Sequence, residues 1–379
     1  MSAALPPNAT IGIVGGGQLG RMSALAAARL GYRCHILTPE SDSPAALVAA
    51  EATIGAFEDR AVLGRFAAAV DVITFEFENI SAEGLDLLAA LRPVRPAPGV
   101  LRISQDRIAE KSFLNQAGIA TAPWAAIEAP EELAPALARL GLPAVLKTTR
   151  FGYDGKGQAL LRAAAGAEAV ARDLTPWPLV LEGFVEYAAE ISVVVARGAD
   201  GAISAFDPVE NRHRDHILDL TLAPAPVPGP VAEAAAAIAR RVAGALDLVG
   251  LLAVEMFVDR EGRVLVNEIA PRPHNSGHWT IDACPASQFE MHVRAVAGLP
   301  LPAASRHSDA VMKNLVGPDE IALWPEILAA PGLIPHHYGK TEARPGRKMG
   351  HVTRLFPRGA LPGALGVAAA LGPLAAGER

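Results

Sequence analysis

The chain has 379 residues, of which 51% are hydrophobic and 20% charged, and 34 Lys and Arg against 40 Asp and Glu leave a net charge of −6. These values exclude a disordered chain and predict two or three folded domains. The mild negative charge argues against broad nucleic-acid or membrane-surface binding. No apolar stretch approaches the roughly 18 residues of a spanning helix, and two cysteines, Cys34 and Cys284, cannot build a disulfide framework. We therefore expect a cytoplasmic protein that binds neither nucleic acid nor a membrane.

The first hundred residues alternate between predicted strands and helices. The strands are Thr10–Val14, Cys34–Thr38 and Val70–Phe75, and the helix between the first two is Arg21–Leu30. Apolar strands that alternate with helices predict a parallel sheet covered on both faces. The Pro-rich segment Arg92–Pro98 follows, and we place a domain boundary near residue 98.

The remaining chain predicts a mixture of helices and strands. The helices are Ser104–Ala117 and Val231–Leu246, and the strands are Ala144–Thr148, Gln158–Arg162, Leu179–Leu181 and Ile191–Ala196. The Pro-rich run Ala223–Pro230 predicts a stiff, extended connector. Two apolar strands around the turn Asp259–Gly262 predict a hairpin. Beyond Pro300 the pattern indicates short strands and turns.

A first glycine-rich loop, Gly15-x-Gly17-x-x-Gly20, joins the first strand to the first helix. Its glycines and the helix N-terminus suit phosphate binding. Glu40 lies 20 residues after Gly20, which is about the spacing of a ribose-binding acid in a dinucleotide fingerprint. The alternative is a plain strand-to-helix connection in a doubly wound sheet.

A second glycine-rich loop, Lys147–Gln158, lies between two strands and has no Gly-Lys-Ser/Thr ending, which excludes a Walker-type P-loop. Such a hairpin tip can fold over a triphosphate, with backbone N–H groups and the charges of Lys147 and Lys156 as ligands. The alternative is a solvated hairpin, since Gly and Asp are common turn residues.

Two carboxylates on the predicted hairpin indicate a metal site. If Asp259–Gly262 forms the turn, Val258 pairs with Arg263, and Glu255 and Glu268 share one face on a diagonal, about 7 Å apart at Cβ. Carboxylates on apolar strands need neutralisation, and this spacing suits Mg²⁺. The alternative is that each acid forms a salt bridge with a basic residue.

The segment Pro271–Thr280 begins where the hairpin ends, so its Arg272 can hold bicarbonate or a phosphorylated intermediate. The alternative is a structural loop with a capped histidine. A Ser276–His278–Asp282 nucleophilic triad is disfavoured because no nucleophile elbow surrounds it.

Several of these segments resemble the ATP-grasp superfamily and, within it, the family of ATP-dependent carboxylases of purine biosynthesis. The resemblance is carried by Gly15–Met22, Phe75–Asn79, Gln105–Arg107, Gly152–Gln158, Asn267–Thr280 and Glu342–His351. It implies a multidomain α/β and α+β chain: a Rossmann-like N-terminal domain (residues 1–98), an ATP-grasp region (99–300, with a small lid at about 121–184) and a small β-rich C-terminal domain (301–379).

The resemblance also implies roles for individual residues. Mg²⁺ would be held by Glu255 and Glu268, and the reacting groups would be approached by Arg272, His274, Tyr153 and Lys156. ATP would contact Arg107, Lys147, Gly152, Tyr153, Asp154, Gly155, Lys156, Gly157, Gln158, Glu182, Gly183, Phe184, Val185, Glu190, His213, Asn267 and Glu268. Aminoimidazole ribonucleotide would contact Gln18, Leu19, Glu76, Asp154, Arg272 and His274, with Lys340, Arg347 and Lys348 near its phosphate.

The activity implied is carboxylation of aminoimidazole ribonucleotide by ATP and bicarbonate through carboxyphosphate, in a chain that the same resemblance makes a homodimer. Three alternatives remain at this point: an ATP-grasp ligase with another acceptor, an oxidoreductase built on Gly15–Gly20 and Glu40, and a nucleotide-binding regulatory protein. The Glu255–Glu268 pair disfavours the last of these.

Overall fold

A computed structural model describes residues 4–152 and 155–374. Its N-terminal part is a parallel sheet of four strands in the order β3-β2-β1-β4, which confirms the predicted architecture. The elements are β1 (Thr10–Val14), α1 (Gln18–Arg29), β2 (Arg33–Thr38), β3 (Glu51–Ile54), α2 (Arg60–Ala68), β4 (Val72–Phe75) and α3 (Ala82–Leu91).

Apolar side chains cover this sheet on both faces. One face packs against α2 and α3, with Phe66 and Leu85 fully buried. The other packs against α1 and against a helix from much later in the chain, Gln288–Ala297, whose Val293 and Val296 lie beside Ile13. The N-terminal sheet therefore completes its core with a segment that follows the central region.

Two short helices, α4 (Pro98–Ser104) and α5 (Arg107–Gln116), connect the first sheet to the rest of the molecule. The predicted continuous helix over Ser104–Ala117 is wrong at its start, because Asp106 is an N-cap. Its Oδ1 accepts hydrogen bonds from the backbone N–H groups of Ile108 and Ala109, which begins a new helix at Arg107.

A second sheet of four antiparallel strands, in the order β5-β8-β6-β7, carries the second glycine-rich loop between β6 and β7. Its two helices bury their apolar faces against the strands. The elements are β5 (Trp124–Ile127), α6 (Leu133–Leu140), β6 (Ala144–Thr148), β7 (Gln158–Leu161), α7 (Ala167–Asp173) and β8 (Leu179–Gly183).

The third and largest sheet has nine strands, and its main path runs β14-β13-β9-β11-β12-β15-β17-β16. The elements are β9 (Tyr187–Arg197), β10 (Ile203–Ala205), β11 (Val209–Arg214), β12 (Ile217–Ala223), α8 (Gly229–Ala245), β13 (Gly250–Asp259), β14 (Val264–Ala270), α9 (Thr280–Ala283), α10 (Gln288–Ala297), β15 (Asp309–Val316), α11 (Gly317–Ala322), α12 (Trp324–Ala329), β16 (Leu333–His337), β17 (Lys348–Phe356) and α13 (Ala364–Ala370). The C-terminal segment is rich in β-strands, as expected. Its strands extend the third sheet, because β15 pairs with β12.

The predicted extended connector over Ala223–Pro230 is also wrong. Ala223 ends β12, the chain bends between Pro224 and Val227, and α8 already begins at Gly229. The Ala225 N–H donates to the Pro208 carbonyl, so this segment is tied to the body of the protein. In the described part of the chain no helix is both long and apolar enough to cross a bilayer.

Candidate active site

The three sheets surround a cleft of about 1110 Å³. Its walls come from the start of α1, the end of β4, α5, the second glycine-rich loop and the β13–β14 hairpin. The predicted site residues that line it are Gln18, Leu19, Glu76, Arg107, Lys147, Gly152, Gly155, Lys156, Gln158, Glu182, Gly183, Phe184, Val185, Glu190, His213, Glu255, Asn267, Glu268, Arg272, His274 and Lys348. The fold thus brings most of the predicted set to one place.

A few predicted residues lie elsewhere. Gly157, Lys340 and Arg347 are described but do not line the cleft. Lys340 nevertheless contacts a cleft residue, because its Nζ donates a hydrogen bond to the carbonyl of Lys348, 2.7 Å away. Tyr153 and Asp154 lie outside the described residues.

Glu255 and Glu268 lie directly opposite each other on the β13–β14 hairpin. The predicted diagonal arrangement is wrong for two reasons. The hairpin loop has three residues instead of four, with Gly262 at φ +79°, so that Val258 pairs with Val264 and not with Arg263. A bulge at Asn267 then shifts the register once more, which aligns the two acids.

Glu268 has a basic partner in the structure, as the salt-bridge alternative expects, whereas Glu255 contacts a histidine. Arg107 Nη1 lies 3.0 Å from Glu268 Oε2, and His274 Nε2 lies 3.2 Å from Glu255 Oε1. Burial raises the pKa of Glu268, but the charge of Arg107 outweighs this effect and the pKa falls to about 2. Among the described residues, the buried Oδ1 atom of Asn267 has no hydrogen-bond partner. Two carboxylates and an unpartnered amide oxygen form an oxygen-rich site that fits Mg²⁺.

Glu110, one turn after Arg107, is a buried acid beside this pair. Its Oε1 accepts the Ile269 N–H at 2.7 Å, which fixes β14 against α5. Burial, together with the nearby charge of Glu268, raises the pKa of Glu110 to about 8. We did not predict Glu110, although the spacing of three residues after Arg107 places both on one helix face.

Glu182 forms a buried ion pair with two lysines. Its carboxylate lies 3.1 Å from Lys147 Nζ and 3.2 Å from Lys111 Nζ. Burial raises the pKa of Glu182, but the two lysines outweigh burial and the pKa is lowered. Lys111 lies four residues after Arg107 on α5 and was not predicted as a site residue. The three residues join α5, β6 and β8 at one wall of the cleft.

A second ion pair, between Glu190 and His213, lies on the large sheet. Glu190 Oε2 is 2.6 Å from His213 Nδ1. Burial lowers the pKa of His213, but the hydrogen bond and charge of Glu190 outweigh it, so the pKa is raised. In the same pair, burial raises the pKa of the Glu190 carboxylate, but the hydrogen bond and charge of His213 outweigh burial and lower it. The pair puts a fixed carboxylate and a polarised imidazole on the cleft wall.

The first glycine-rich loop encloses the carboxylate of Glu76. The N–H groups of Gly17 and Gly20 donate to its two oxygens at 2.7 and 3.0 Å. A Cβ atom at Gly15 would lie 2.5 Å from the Glu76 side chain, so the glycines make room for this residue. The amides of Gly17 and Gly20 are therefore occupied by a protein carboxylate, and phosphate binding elsewhere in this loop stays a prediction. The exposed Glu40 does not line the cleft, which removes the basis of the dinucleotide hypothesis.

Arg272 reaches the cleft beside Glu76 and pairs with Glu78, with 2.6 Å between Nη2 and Oε1. Burial lowers the pKa of this guanidinium, but the Glu78 charge outweighs burial and raises it. Its Nε atom is buried and has no hydrogen-bond partner in the part of the chain that the structure describes. Arg272 therefore carries a fixed positive charge in a position that an anion can reach from the cleft.

Hydrogen bonds determine the tautomer of His274. The Ser276 N–H donates to His274 Nδ1 at 3.4 Å, and the Ser276 hydroxyl lies 2.8 Å from the same atom. Asn211 Nδ2 donates to Ser192 Oγ, which in turn donates to Ser276 Oγ. Nδ1 is thus an acceptor, and the proton of a neutral His274 resides on Nε2, directed at Glu255.

This chain of hydrogen bonds was not predicted, because Ser192 and Asn211 lie far from His274 in sequence. The disfavoured nucleophilic triad does not form. Ser276 contacts Ser192, His278 contacts Gln288, and Asp282 contacts His336.

Three family models match consecutive parts of the chain. The ribonucleotide synthetase preATP-grasp domain matches residues 8–105, and the ATP-grasp domain matches residues 112–289. The phosphoribosylaminoimidazole carboxylase C-terminal domain matches residues 310–359. The first model covers the N-terminal sheet, the second covers the second sheet and much of the third, and the last covers the C-terminal strands of that third sheet.

Similar proteins span nearly the whole chain. The N5-carboxyaminoimidazole ribonucleotide synthase of Brucella melitensis is 51% identical over 356 residues, or 93% of this chain and 98% of the relative. A crystal structure of an N5-carboxyaminoimidazole ribonucleotide synthetase with ADP has a TM-score of 0.93 at 39% identity and covers 98% of both chains. The Aspergillus clavatus enzyme with ADP and 5-aminoimidazole ribonucleotide has a TM-score of 0.87 at 32% identity, covering 92% of this chain and 94% of that one. The chain belongs to the N5-carboxyaminoimidazole ribonucleotide synthase family of ATP-grasp enzymes.

Proposed function

We propose that this protein is a ligase that uses ATP and bicarbonate to carboxylate the exocyclic amine of 5-aminoimidazole ribonucleotide, in purine biosynthesis. The observation that carries the proposal is the convergence of three features on one cleft. These are the opposed acids Glu255 and Glu268, the basic loop around Lys147 and Lys156, and the buried guanidinium of Arg272. Relatives solved with ADP, or with ADP and 5-aminoimidazole ribonucleotide, support the same ligands here.

ATP lies between the second and third sheets in this proposal. The Lys147–Glu182 pair and the chain from Gly183 to Val185 border the base, and Glu190 beside His213 offers a carboxylate to the ribose hydroxyls. The glycine-rich loop covers the phosphates with backbone N–H groups through Gly152, Gly155 and Gln158, which line the cleft, and Gly157 would join them only if the loop moves inward. Tyr153 and Asp154 belong to the same proposed loop contacts.

Glu255, Glu268 and the neighbouring Asn267 would hold Mg²⁺ on the cleft side of the hairpin. When bound, the ion offsets the repulsion between the triphosphate and bicarbonate. Arg107 holds Glu268 ionised in the metal-free protein, so this carboxylate needs no deprotonation before it binds a cation.

The acceptor nucleotide lies against the N-terminal sheet. Gln18 and Leu19, at the start of α1, border it together with Glu76, Arg272 and His274. Its phosphate faces the basic group made of Lys340, Arg347 and Lys348. The first glycine-rich loop contributes by holding Glu76 in place.

The reaction has two steps. An oxygen of bicarbonate attacks the γ-phosphorus of ATP, the bond to ADP breaks, and carboxyphosphate forms. The amine of the acceptor then attacks the carbon of carboxyphosphate and displaces phosphate, or it attacks CO₂ after carboxyphosphate has released phosphate. In both routes the amine loses a proton, which the released phosphate takes up. Lys156 and Arg272 offset the negative charge of the bicarbonate-derived group. His274 directs its Nε2–H toward Glu255 on the same cleft wall.

Phosphate release from ATP and bicarbonate, measured with and without 5-aminoimidazole ribonucleotide, tests this function. We expect release to increase strongly when the acceptor is present and to depend on Mg²⁺. Release that the acceptor does not stimulate rejects this acceptor and favours an ATP-grasp ligase with another one.

Three broader features complete the proposal. The proposed domains are residues 1–98, 99–300 with a lid at about 121–184, and 301–379. The second sheet runs from Trp124 to Gly183, which supports the proposed bounds of the lid. A homodimer follows from family resemblance, and light scattering coupled to size-exclusion chromatography tests it. The two cysteines are buried and unpaired, which suits the cytoplasm.

A further inference from the structure

A second group of metal-ligand side chains lies apart from the cleft, where α9 meets β16 and β17. Asp282, His336 and His351 each place one ligand atom within 4.8 Å of those of the other two. None of these three described residues lines the cleft. The proposed reaction therefore leaves them without a role.

Strand register brings the two histidines together. His336 pairs directly with His351 across the antiparallel β16–β17 ladder, so their side chains share one face of the sheet. Their rings stack with centroids 4.4 Å apart and an interplanar angle of 10°. Asp282, on α9, reaches this stack, and its Oδ2 lies 2.9 Å from His336 Nε2.

His351 is a buried imidazole that lies beside the other two side chains. Its Nδ1 lies 3.0 Å from the Tyr338 hydroxyl, while its Nε2 is buried and has no hydrogen-bond partner within residues 4–152 and 155–374. An ion at Nε2 would leave an Nδ1–H directed at the tyrosine oxygen, which is how an outer partner orients a ligating histidine.

We propose that Asp282, His336 and His351 form a binding site for a divalent transition metal ion, and that Zn²⁺ suits it best. Two imidazoles and one carboxylate are ligands that Zn²⁺ favours, whereas Mg²⁺ prefers an all-oxygen set. Tetrahedral Zn²⁺ needs ligand atoms about 3.3 Å apart. The 2.9 Å contact between Asp282 and His336 is close to this value, and the ligand atom of His351 lies within 4.8 Å of both. A shared ion requires the stacked rings of His336 and His351 to turn so that their in-plane lone pairs converge. A bound ion would join α9, which follows Arg272 and His274 in the chain, to the C-terminal strands.

The experiment measures Zn²⁺ binding to the full chain after EDTA treatment, by competition with a chromogenic chelator and without nucleotide. The test variants are His336→Ala and Asp282→Asn. The matched control is His337→Ala, because His337 is the next residue of β16 and lies outside the cluster. A Glu255→Gln/Glu268→Gln double variant lacks the two cleft carboxylates, so the Zn²⁺ binding that it retains occurs at another site.

We expect one Zn²⁺ site in the wild type, the His337→Ala control and the double variant. The affinity should fall at least about tenfold in His336→Ala and in Asp282→Asn. Zn²⁺ should also raise the thermal unfolding midpoint of the wild type, but not of these two variants. If His336→Ala does not fold, Asp282→Asn alone decides. Unchanged affinity in the folded test variants, or loss of the site in the double variant, overturns the proposal.

Discussion

Arg107 and Glu268 form an ion pair across the cleft, with 3.0 Å between Nη1 and Oε2. Arg107 is the first residue of α5, whereas Glu268 lies 161 residues later on β14. The pair therefore joins the helix that leaves the N-terminal sheet to the β13–β14 hairpin, which carries the proposed metal ligands. Its consequence is a carboxylate that is ionised at neutral pH.

Glu268→Gln should reduce acceptor-dependent phosphate release by orders of magnitude, because the amide is a weak ligand for Mg²⁺. Circular dichroism should show an intact fold. Glu186→Gln is the matched control, since Glu186 is exposed and outside the cleft, and it should retain wild-type activity. Wild-type turnover in Glu268→Gln would contradict the metal assignment.

The proposed phosphate site should be sensitive to alkaline pH through Lys340. Burial, and then the charge of Arg347, lower the pKa of Lys340 to about 8. The ammonium is charged below this pH and neutral above it, so kcat/KM for 5-aminoimidazole ribonucleotide should fall as pH rises through about 8. Lys340→Arg should remove this decline, because a guanidinium stays charged. An identical profile in both proteins would exclude Lys340 as its cause.

The hydrogen bonds behind His274 should matter for turnover. Ser276→Ala removes the hydroxyl that donates to Nδ1, so we expect kcat to fall about tenfold while KM for ATP stays unchanged. ¹⁵N NMR of the histidines should show the Nε2–H tautomer of His274 in the wild type and a mixture in the variant. Ser204→Ala, at a serine whose hydroxyl contacts Pro302, is the control and should leave the His274 signals unchanged.

Glu182→Gln should destabilise the fold by about 3 kcal/mol, because it leaves the buried lysines 111 and 147 without a counter-charge. Urea unfolding at pH 7 measures this loss, and the exposed Glu168→Gln is the control. The folded pKa of Glu182 lies below its ordinary value of 4.5, so the contribution is complete above that pH and is lost as pH falls through the folded value. A stability difference that stays constant under acid would contradict this explanation.

The sequence predicted the parallel sheet and the hairpin carboxylates because these depend on local patterns. Strand periodicity placed Glu255 and Glu268 on one face, but their direct opposition depends on a three-residue loop and a bulge at Asn267. No local sequence pattern distinguishes the three-residue loop and the bulge from a hairpin with a four-residue turn. The start of α5 did have such a signal, since Asp106 is a strong N-cap residue.

Most of the cleft could be predicted only through family resemblance, because its residues come from all three sheets. The chemistry of the first glycine-rich loop could not be predicted. Its amides bind Glu76, and only the position of β4 beside β1 brings that carboxylate within reach. The buried Glu110 and Lys111 resemble ordinary charged residues of an exposed helix until packing shows otherwise.

Helix α10 lies on the N-terminal sheet although it follows the hairpin in sequence. A fragment that ends near residue 98 would therefore expose the apolar face that Val293 and Val296 cover. The N-terminal sheet and α10 share one hydrophobic core, although the central region of the chain separates them in sequence. Separate expression of the N-terminal sheet should yield an insoluble polypeptide, and recombination between relatives should succeed only when α10 is inherited together with that sheet.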